Sequence, residues 1–189
     1  TGLRRCGKSY LLGTLFKNHL INEGVPQDHI IEMSFDLFEN LEYRNPKVFY
    51  PWVQKQLKDD GQYYILLDEV QLMQEFVSVL NGLAAKKNCD VYVTGSNARF
   101  LSRDIATEFG GRGDEVHMYP LSFAEFMTVY KGHYYDGFRE YMTYGGIPIV
   151  VLAQTPEQKM ALLDSLFTAT YIRDIRIRNK LRNVGEMGT

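Results

Sequence analysis

Gly2-Leu-Arg-Arg-Cys-Gly7-Lys8-Ser9 has the spacing G-x-x-x-x-G-K-[ST]. Each fixed position has a chemical use. The glycines let the backbone curl until successive N–H groups point at one anion. A helix starting at Lys8 aims its positive N-terminal end at the same point. The Lys8 ammonium suits the β- and γ-phosphates of a nucleotide. The Ser9 hydroxyl suits the Mg²⁺ that travels with them. A glycine turn before an amphipathic helix is the plain alternative, and the full spacing outweighs it.

A second group of residues fits the same chemistry. Tyr63-Tyr-Ile-Leu-Leu-Asp68-Glu69 is an apolar run ending in two carboxylates. A strand end would lift both acids to the carboxyl edge of a parallel sheet, where ligands bind. Asp68 can support the Mg²⁺ shell, and Glu69 can take a proton from a water attacking the γ-phosphate. Alone, Asp-Glu would read as a surface strand end; with the upstream glycine loop the functional reading prevails. Val91-Tyr-Val-Thr-Gly-Ser96-Asn97 closes a third apolar run with polar residues. Ser96 or Asn97 can hydrogen-bond the attacking water or the phosphate, or cap the next helix, or both. Arg112 follows Gly110-Gly111. It can reach a phosphate held by a neighbouring subunit. It can equally be a solvated or locally paired arginine, which the residues alone favour slightly.

Alternating elements must position these groups. Lys8 to Asn22 reads as a helix with Leu11, Leu12, Leu15, Phe16, Leu20 and Ile21 on one side and Gly24 as its stop. Strands are expected over His29–Phe35, Tyr63–Leu67, Asp90–Thr94 and Glu115–Tyr119. Helices are expected over Pro46–Lys58, Leu72–Lys87 and Arg99–Phe109. Strand and helix in alternation imply an α/β fold, with a parallel sheet covered by helices on both faces. After Pro120 the pattern turns helical. Ser122-Phe-Ala-Glu125 is a capping box, and Thr155, Pro156 and Gln158 open another helix. Residues 1–120 therefore read as the sheet domain and 121–189 as a helical extension.

A phosphate loop is normally fed by a buried strand, and Thr1 would be that strand's last residue. About 20 or more residues are expected upstream, including the central strand. The 189 residues are 45% apolar and 23% charged with a net charge of −2, an ordinary globular composition without a general basic field. No apolar run approaches a membrane helix; the best is Ile147 to Ala153. The opening Thr-Gly-Leu-Arg-Arg is no signal peptide, and Cys6 and Cys89 make neither a disulfide framework nor a zinc spacing. The expected compartment is the cytoplasm.

Taken in order, the phosphate loop, Leu-Leu-Asp-Glu-Val-Gln, Val-Thr-Gly-Ser-Asn, Gly-Arg-Gly, Tyr-Pro-Leu-Ser-Phe-Ala-Glu-Phe and Tyr-Gly-Gly-Ile-Pro make a pattern. It resembles the predicted AAA-type P-loop ATPases of bacteria and archaea that carry a C-terminal domain of unknown function. The resemblance covers nearly the whole chain. It implies an ATPase using ATP and Mg²⁺, a sheet of strand order 5-1-4-3-2 with its first strand largely upstream of Thr1, and a small helical lid. It implies that Gly2, Arg4, Arg5, Cys6, Gly7, Lys8, Ser9 and Tyr10 bind the nucleotide, and that Ser9 and Asp68 serve the metal. Glu69 becomes the base, Ser96 or Asn97 the polar sensor and Arg112 the candidate finger. A further C-terminal region, winged-helix or nuclease-like, is implied beyond Thr189.

Other features weigh less. Asn179-Lys-Leu-Arg182 lacks the final aspartate of a guanine-reading element, so ATP is favoured over GTP. His19, His29, His117 and His133 show no ligand spacing. Cys6 reads as a small filler or an oxidation-sensitive thiol, and Asp36 and Glu39 as solvated. Tyr171 to Asn183 carries Arg173, Arg176, Arg178, Lys180 and Arg182 against Asp174. This is a solvated helix face, a surface for nucleic-acid phosphates or a contact with a neighbouring subunit. Two functional classes remain: an ATP hydrolase coupled to conformational change, and an ATP-gated interaction module that does not turn over. Glu69 argues for the first, since a pure switch needs no base. ATP and ADP are the expected small-molecule partners. Self-association and a DNA or protein client stay open, and no membrane contact is expected.

Overall fold

The computed structural model describes residues 1–95 and 113–168. Ser96, Asn97, Arg112, the helix expected over Arg99–Phe109 and the basic stretch Tyr171–Asn183 lie outside the described residues. The chain divides into two compact units, one of Thr1 and Gly7–His117, the other of Gly2–Cys6 and Met118–Thr189.

In the first unit, helix α1 runs through three consecutive segments. These are Lys8–Tyr10, a π-helical stretch Leu11–Phe16, and Lys17–Asn22. Gly7 caps its start with φ 100°, and Gly24 follows its end with φ 89°. Both values suit glycine. Strand β1 is Ile30–Ser34, helix α2 Pro46–Gln56, strand β2 Tyr63–Asp68, helix α3 Phe76–Ala84 and strand β3 Cys89–Val93. Helix α2 starts at the expected Pro46, with proline in its first turn, and Asn45 caps it by accepting from the Lys47 nitrogen at 3.0 Å.

The three strands form one parallel sheet in the order β1-β2-β3. The register sets Ser34 beside Asp68 and Leu67 beside Val93. Strand β2 is central and covered on both faces. Tyr63, Ile65 and Leu67 join the core shared with Phe49 and Val53 of α2 and with Val79, Leu80 and Leu83 of α3. Leu66, on the opposite face, packs with Leu12 and Leu20 of α1. Burial of each such side chain contributes roughly 1.5–3 kcal/mol before ordering costs. The wholly apolar run Tyr63–Leu67 has this cause: alternate residues face different helices and both faces are dry.

Two expected elements differ. The helix over Leu72–Lys87 begins only at Phe76. Val70–Leu72 closes a 3₁₀ turn first, and Glu69 and Glu75 on either side of it have φ 52° and 48°, which no continuous right-handed helix admits. The strand over Glu115–Tyr119 is reduced to a single parallel bridge between Gly2 and Met118. The Thr1 nitrogen also donates to Val116 O at 2.7 Å. One bridge and one bond do not make a ladder.

The described part of the second unit beyond Met118 is helical: α4 Phe123–Val129, α5 Tyr134–Tyr144, α6 Pro148–Val151 and α7 Pro156–Thr168. The capping box is complete at α4. Ser122 Oγ accepts from the Glu125 nitrogen at 3.3 Å, and Glu125 Oε2 accepts from the Ser122 nitrogen at 2.7 Å. Phe123, Phe126 and Tyr141 pack ring against ring, and Tyr141 Oη donates to Leu121 O at 2.8 Å. Lys159, buried on α7, pairs with Glu140 and lies over the Tyr144 ring.

Candidate functional site

The carboxyl edge of the sheet is where polar side chains converge. Strands β1 and β2 end at Ser34 and Asp68, and Thr94 follows the last residue of β3. In-register parallel pairing therefore places three polar groups side by side. Asp68 Oδ1 accepts from Ser9 Oγ at 3.0 Å and from Thr94 Oγ1. Asp68 Oδ2 lies 3.3 Å from Ser34 Oγ, whose proton is shared with Asp36 Oδ1 at 2.8 Å. All these contacts donate to carboxylate oxygen, as an acceptor-only group requires. The backbone frame is tight around them: Phe35 N donates to Asp68 O at 3.1 Å and Thr94 N to Leu67 O at 2.8 Å.

Ser9 stands in the first turn of α1, one residue after Lys8, which is 7% exposed. The Ser9 proton goes to Asp68, which leaves both hydroxyl lone pairs for a cation. A hydroxyl backed by a carboxylate is a hard, all-oxygen donor set, the kind Mg²⁺ prefers when phosphate and water complete its shell. Both groups line a cleft of about 220 Å³ together with Gly13, Thr14, Glu32 and Ser34. The residues present thus fit the expected metal. Among the described residues there is no group of three or more His, Cys, Asp or Glu able to hold a metal ion.

Glu69 has φ 52° and ψ 42°, a left-handed conformation that costs a non-glycine residue roughly 1–2 kcal/mol. Its nitrogen donates to Thr94 Oγ1 at 3.3 Å, and Val70 N donates to Thr94 O at 3.1 Å. Its carboxylate Oε2 accepts from Gln71 Nε2. The other amide atom, Gln71 Oε1, is buried without a hydrogen-bond partner among the described residues. Burying such an atom costs about 1–3 kcal/mol.

The loop backbone curls as its glycines suggest. Gly2 has φ 140°, Arg5 φ 60° and Gly7 φ 100°. A Cβ on Gly2 would stand 2.3 Å from Met118 O, so no side chain fits there. Cys6 is 3% exposed, while Tyr10 is 60% exposed. Arg4 is half-buried and Arg5 exposed.

Of the residues expected to act, Ser9 and Asp68 are brought into direct contact, and Glu69 is tied to the same cluster through Thr94. Ser34, Thr94 and Gln71 belong to the network but carry no motif of their own. Their signal was positional. Ser34 ends β1 and Thr94 follows β3, so the two hydroxyls stand on either side of Asp68, and Gln71 stands two residues after Glu69.

A family model described as AAA domain matches residues 1–127. An uncharacterised protein of Haemophilus influenzae is 33% identical over 184 residues, covering 94% of this chain and 46% of the relative. An uncharacterised protein of Methanocaldococcus jannaschii is 25% identical over 205 residues, covering 98% of this chain and 43% of the relative. The chain thus spans less than half the length of these curated relatives. No solved structure matches it.

Proposed function

The chain belongs to the AAA domain family, a nucleotide-binding family, and from that premise we propose that it binds ATP with Mg²⁺ and hydrolyses it. The observation that carries this is the 3.0 Å hydrogen bond from Ser9 Oγ to Asp68 Oδ1. It joins the residue after the loop lysine to the first carboxylate of the Asp-Glu pair, as shared duty toward one Mg²⁺ requires.

The roles divide as follows. Gly2, Arg4, Arg5, Cys6, Gly7, Lys8, Ser9 and Tyr10 hold the nucleotide, the backbone N–H groups and Lys8 taking the phosphates. Ser9 offers lone pairs to the metal while Asp68 keeps its proton turned away. Bound there, Mg²⁺ supplies charge against the developing negative charge of the phosphate oxygens. Glu69 orients a water and accepts its proton. Ser96 or Asn97 serves as sensor, and Arg112 as a finger toward a neighbouring subunit.

The observed order β1-β2-β3 supports the 4-3-2 portion of a 5-1-4-3-2 sheet. The parallel bridge of Gly2 to Met118 supports a neighbouring 1-5 pair. Residues 1–120 are proposed as the ATPase core and 121–189 as the helical lid. No helix among the described residues is long and apolar enough to cross a membrane. The cytoplasm as compartment, self-association, and a DNA or protein client driven by the lid belong to the same proposal.

The test is phosphate release from Mg·ATP by the full-length protein, beside Glu69→Gln, with and without DNA. Turnover in the wild type that vanishes in Glu69→Gln is expected. Binding without turnover in both would replace hydrolysis by an ATP-gated interaction module.

A further inference from the structure

The Gln71 side chain folds back across the 3₁₀ turn Val70–Leu72 to donate from Nε2 to Glu69 Oε2. We infer that Gln71 is a positioning residue for Glu69, holding the carboxylate in the orientation from which it meets the water. The inference rests on the reading of Glu69 as the base, and goes beyond it by assigning what aims that base.

Three observations carry it. The first is that Gln71 gains little for itself from its place: Oε1 is buried and unpartnered among the described residues. An apolar side chain of similar length would fill the space without burying an unmatched acceptor. Its contact with Glu69 is what an apolar residue would lose. The second concerns orientation. Turning the amide over would set Oε1 against the Glu69 carboxylate, oxygen on oxygen, so Glu69 itself fixes which end faces it. The third is the rigidity of the support. Val70, between the two residues, is fully buried and its nitrogen donates to Thr94 O at 3.1 Å. Leu72 N returns to Glu69 O at 3.0 Å and Met73 N to Val70 O at 3.0 Å. Glu69 N is held by Thr94 Oγ1 at 3.3 Å. With the backbone pinned on both sides, the freedom left to Glu69 is that of its side chain, and Gln71 restrains its carboxylate end. A general base works only when its oxygen is aimed at the proton it takes.

The test uses Gln71→Met, which keeps length and volume but removes the donor. ATP turnover, KM for ATP, affinity for a fluorescent ATP analogue and Tm are measured for wild type, Gln71→Met, Glu69→Gln and the double variant. The expected result is a kcat about tenfold lower in Gln71→Met, part of the 10²–10⁴ that a base supplies. KM, analogue affinity and Tm should stay at wild-type values. The double variant should match Glu69→Gln alone, because a residue that acts through Glu69 has nothing left to aim. Wild-type kcat in Gln71→Met, with Glu69→Gln inactive, overturns the positioning role alone. A fall in Tm or analogue affinity that accounts for the lost rate makes the residue structural and also overturns it. Equal turnover in wild type and Glu69→Gln removes the base itself, and with it this inference.

Discussion

Ser9 Oγ donates to Asp68 Oδ1 across 3.0 Å, so one proton links the first turn of α1 to the tip of β2. A serine hydroxyl is a weak ligand, and a carboxylate at a strand end is an ordinary surface feature. Joined, they make a donor set whose lone pairs are already sorted. Metal dependence should then reside in Ser9, and nucleotide affinity in Lys8.

Lys8→Ala is expected to abolish ATP binding, since it removes the buried cation beside the loop. Ser9→Ala is expected to keep binding in chelator but to lose the increment that Mg²⁺ adds. Titration calorimetry with and without Mg²⁺ separates the two, and an unchanged Mg²⁺ increment in Ser9→Ala would refute the metal assignment.

Thr94→Val keeps shape but removes a hydroxyl that serves both carboxylate residues. It leaves the Glu69 N–H without that acceptor and Asp68 short of one donor. A loss of about 1–3 kcal/mol in unfolding free energy is expected, together with lower turnover. Urea melts read the first part and phosphate release the second. A variant as stable as wild type would mean that water substitutes fully for the hydroxyl.

Glu69→Gly should separate activity from stability. Glycine relieves the left-handed backbone at φ 52° but adds freedom to the unfolded chain, and the two effects nearly offset. Unfolding free energy within about 1 kcal/mol of wild type is expected, with turnover lost. A much larger loss of stability would show that the glutamate side chain, not the backbone, holds this turn.

The pair Gly145-Gly146 should tolerate no side chain. Gly145 has φ 72° and ψ −169°, a region open essentially to glycine. A Cβ on Gly146 would lie 1.9 Å from Leu121 O, which is backbone and anchored by Leu121 N donating to Gly146 O at 2.8 Å. Alanine at either position should lower Tm, more so at 146. Differential scanning fluorimetry decides it, and a wild-type Tm for Gly146→Ala would contradict the close approach.

Acid should loosen the start of α4. The Ser122 backbone N–H, and then its hydroxyl, hold the Glu125 carboxyl below its ordinary value of 4.5. A lowered folded-state value means the contribution is complete above the unfolded value and fades as pH falls through the folded one. Glu125→Gln should therefore flatten the pH dependence of stability below about pH 4.5. Identical acid limbs in the two proteins would count against the box as a pH-dependent element.

Much of this arrangement was legible because its causes are local. Leu-Leu-Asp68-Glu69 had to be a strand tip, since the five residues Tyr63 to Leu67 are all apolar before the charge begins. Ser122 and Glu125 declared their helix by cap chemistry alone. Other features depend on partners far along the chain. Thr94 looks like any strand-ending threonine until the register sets it against Asp68. The delayed start of α3 follows from Glu69 and Glu75 in left-handed conformations, which apolar periodicity does not reveal. The Gln71 contact depends on a turn that no spacing rule calls for.

The π-helical stretch Leu11–Phe16 has a consequence for how this chain can change in length. It separates Ser9, which must meet Asp68, from Leu20, which must meet the sheet. A wider turn in that interval sets the angular phase between the two ends of α1. Removing one residue there would let an ordinary α-helix form with its two ends still in phase, because the wide turn already holds the extra residue, whereas removing one from the α-helical segments on either side would swing every later side chain by about 100° about the axis. Either the serine or the leucine would then miss its target. In the α-helical segments of α1 a single-residue deletion is a rotation rather than a shortening, so Leu11–Phe16 is the one interval of this helix that should accept the loss of a residue.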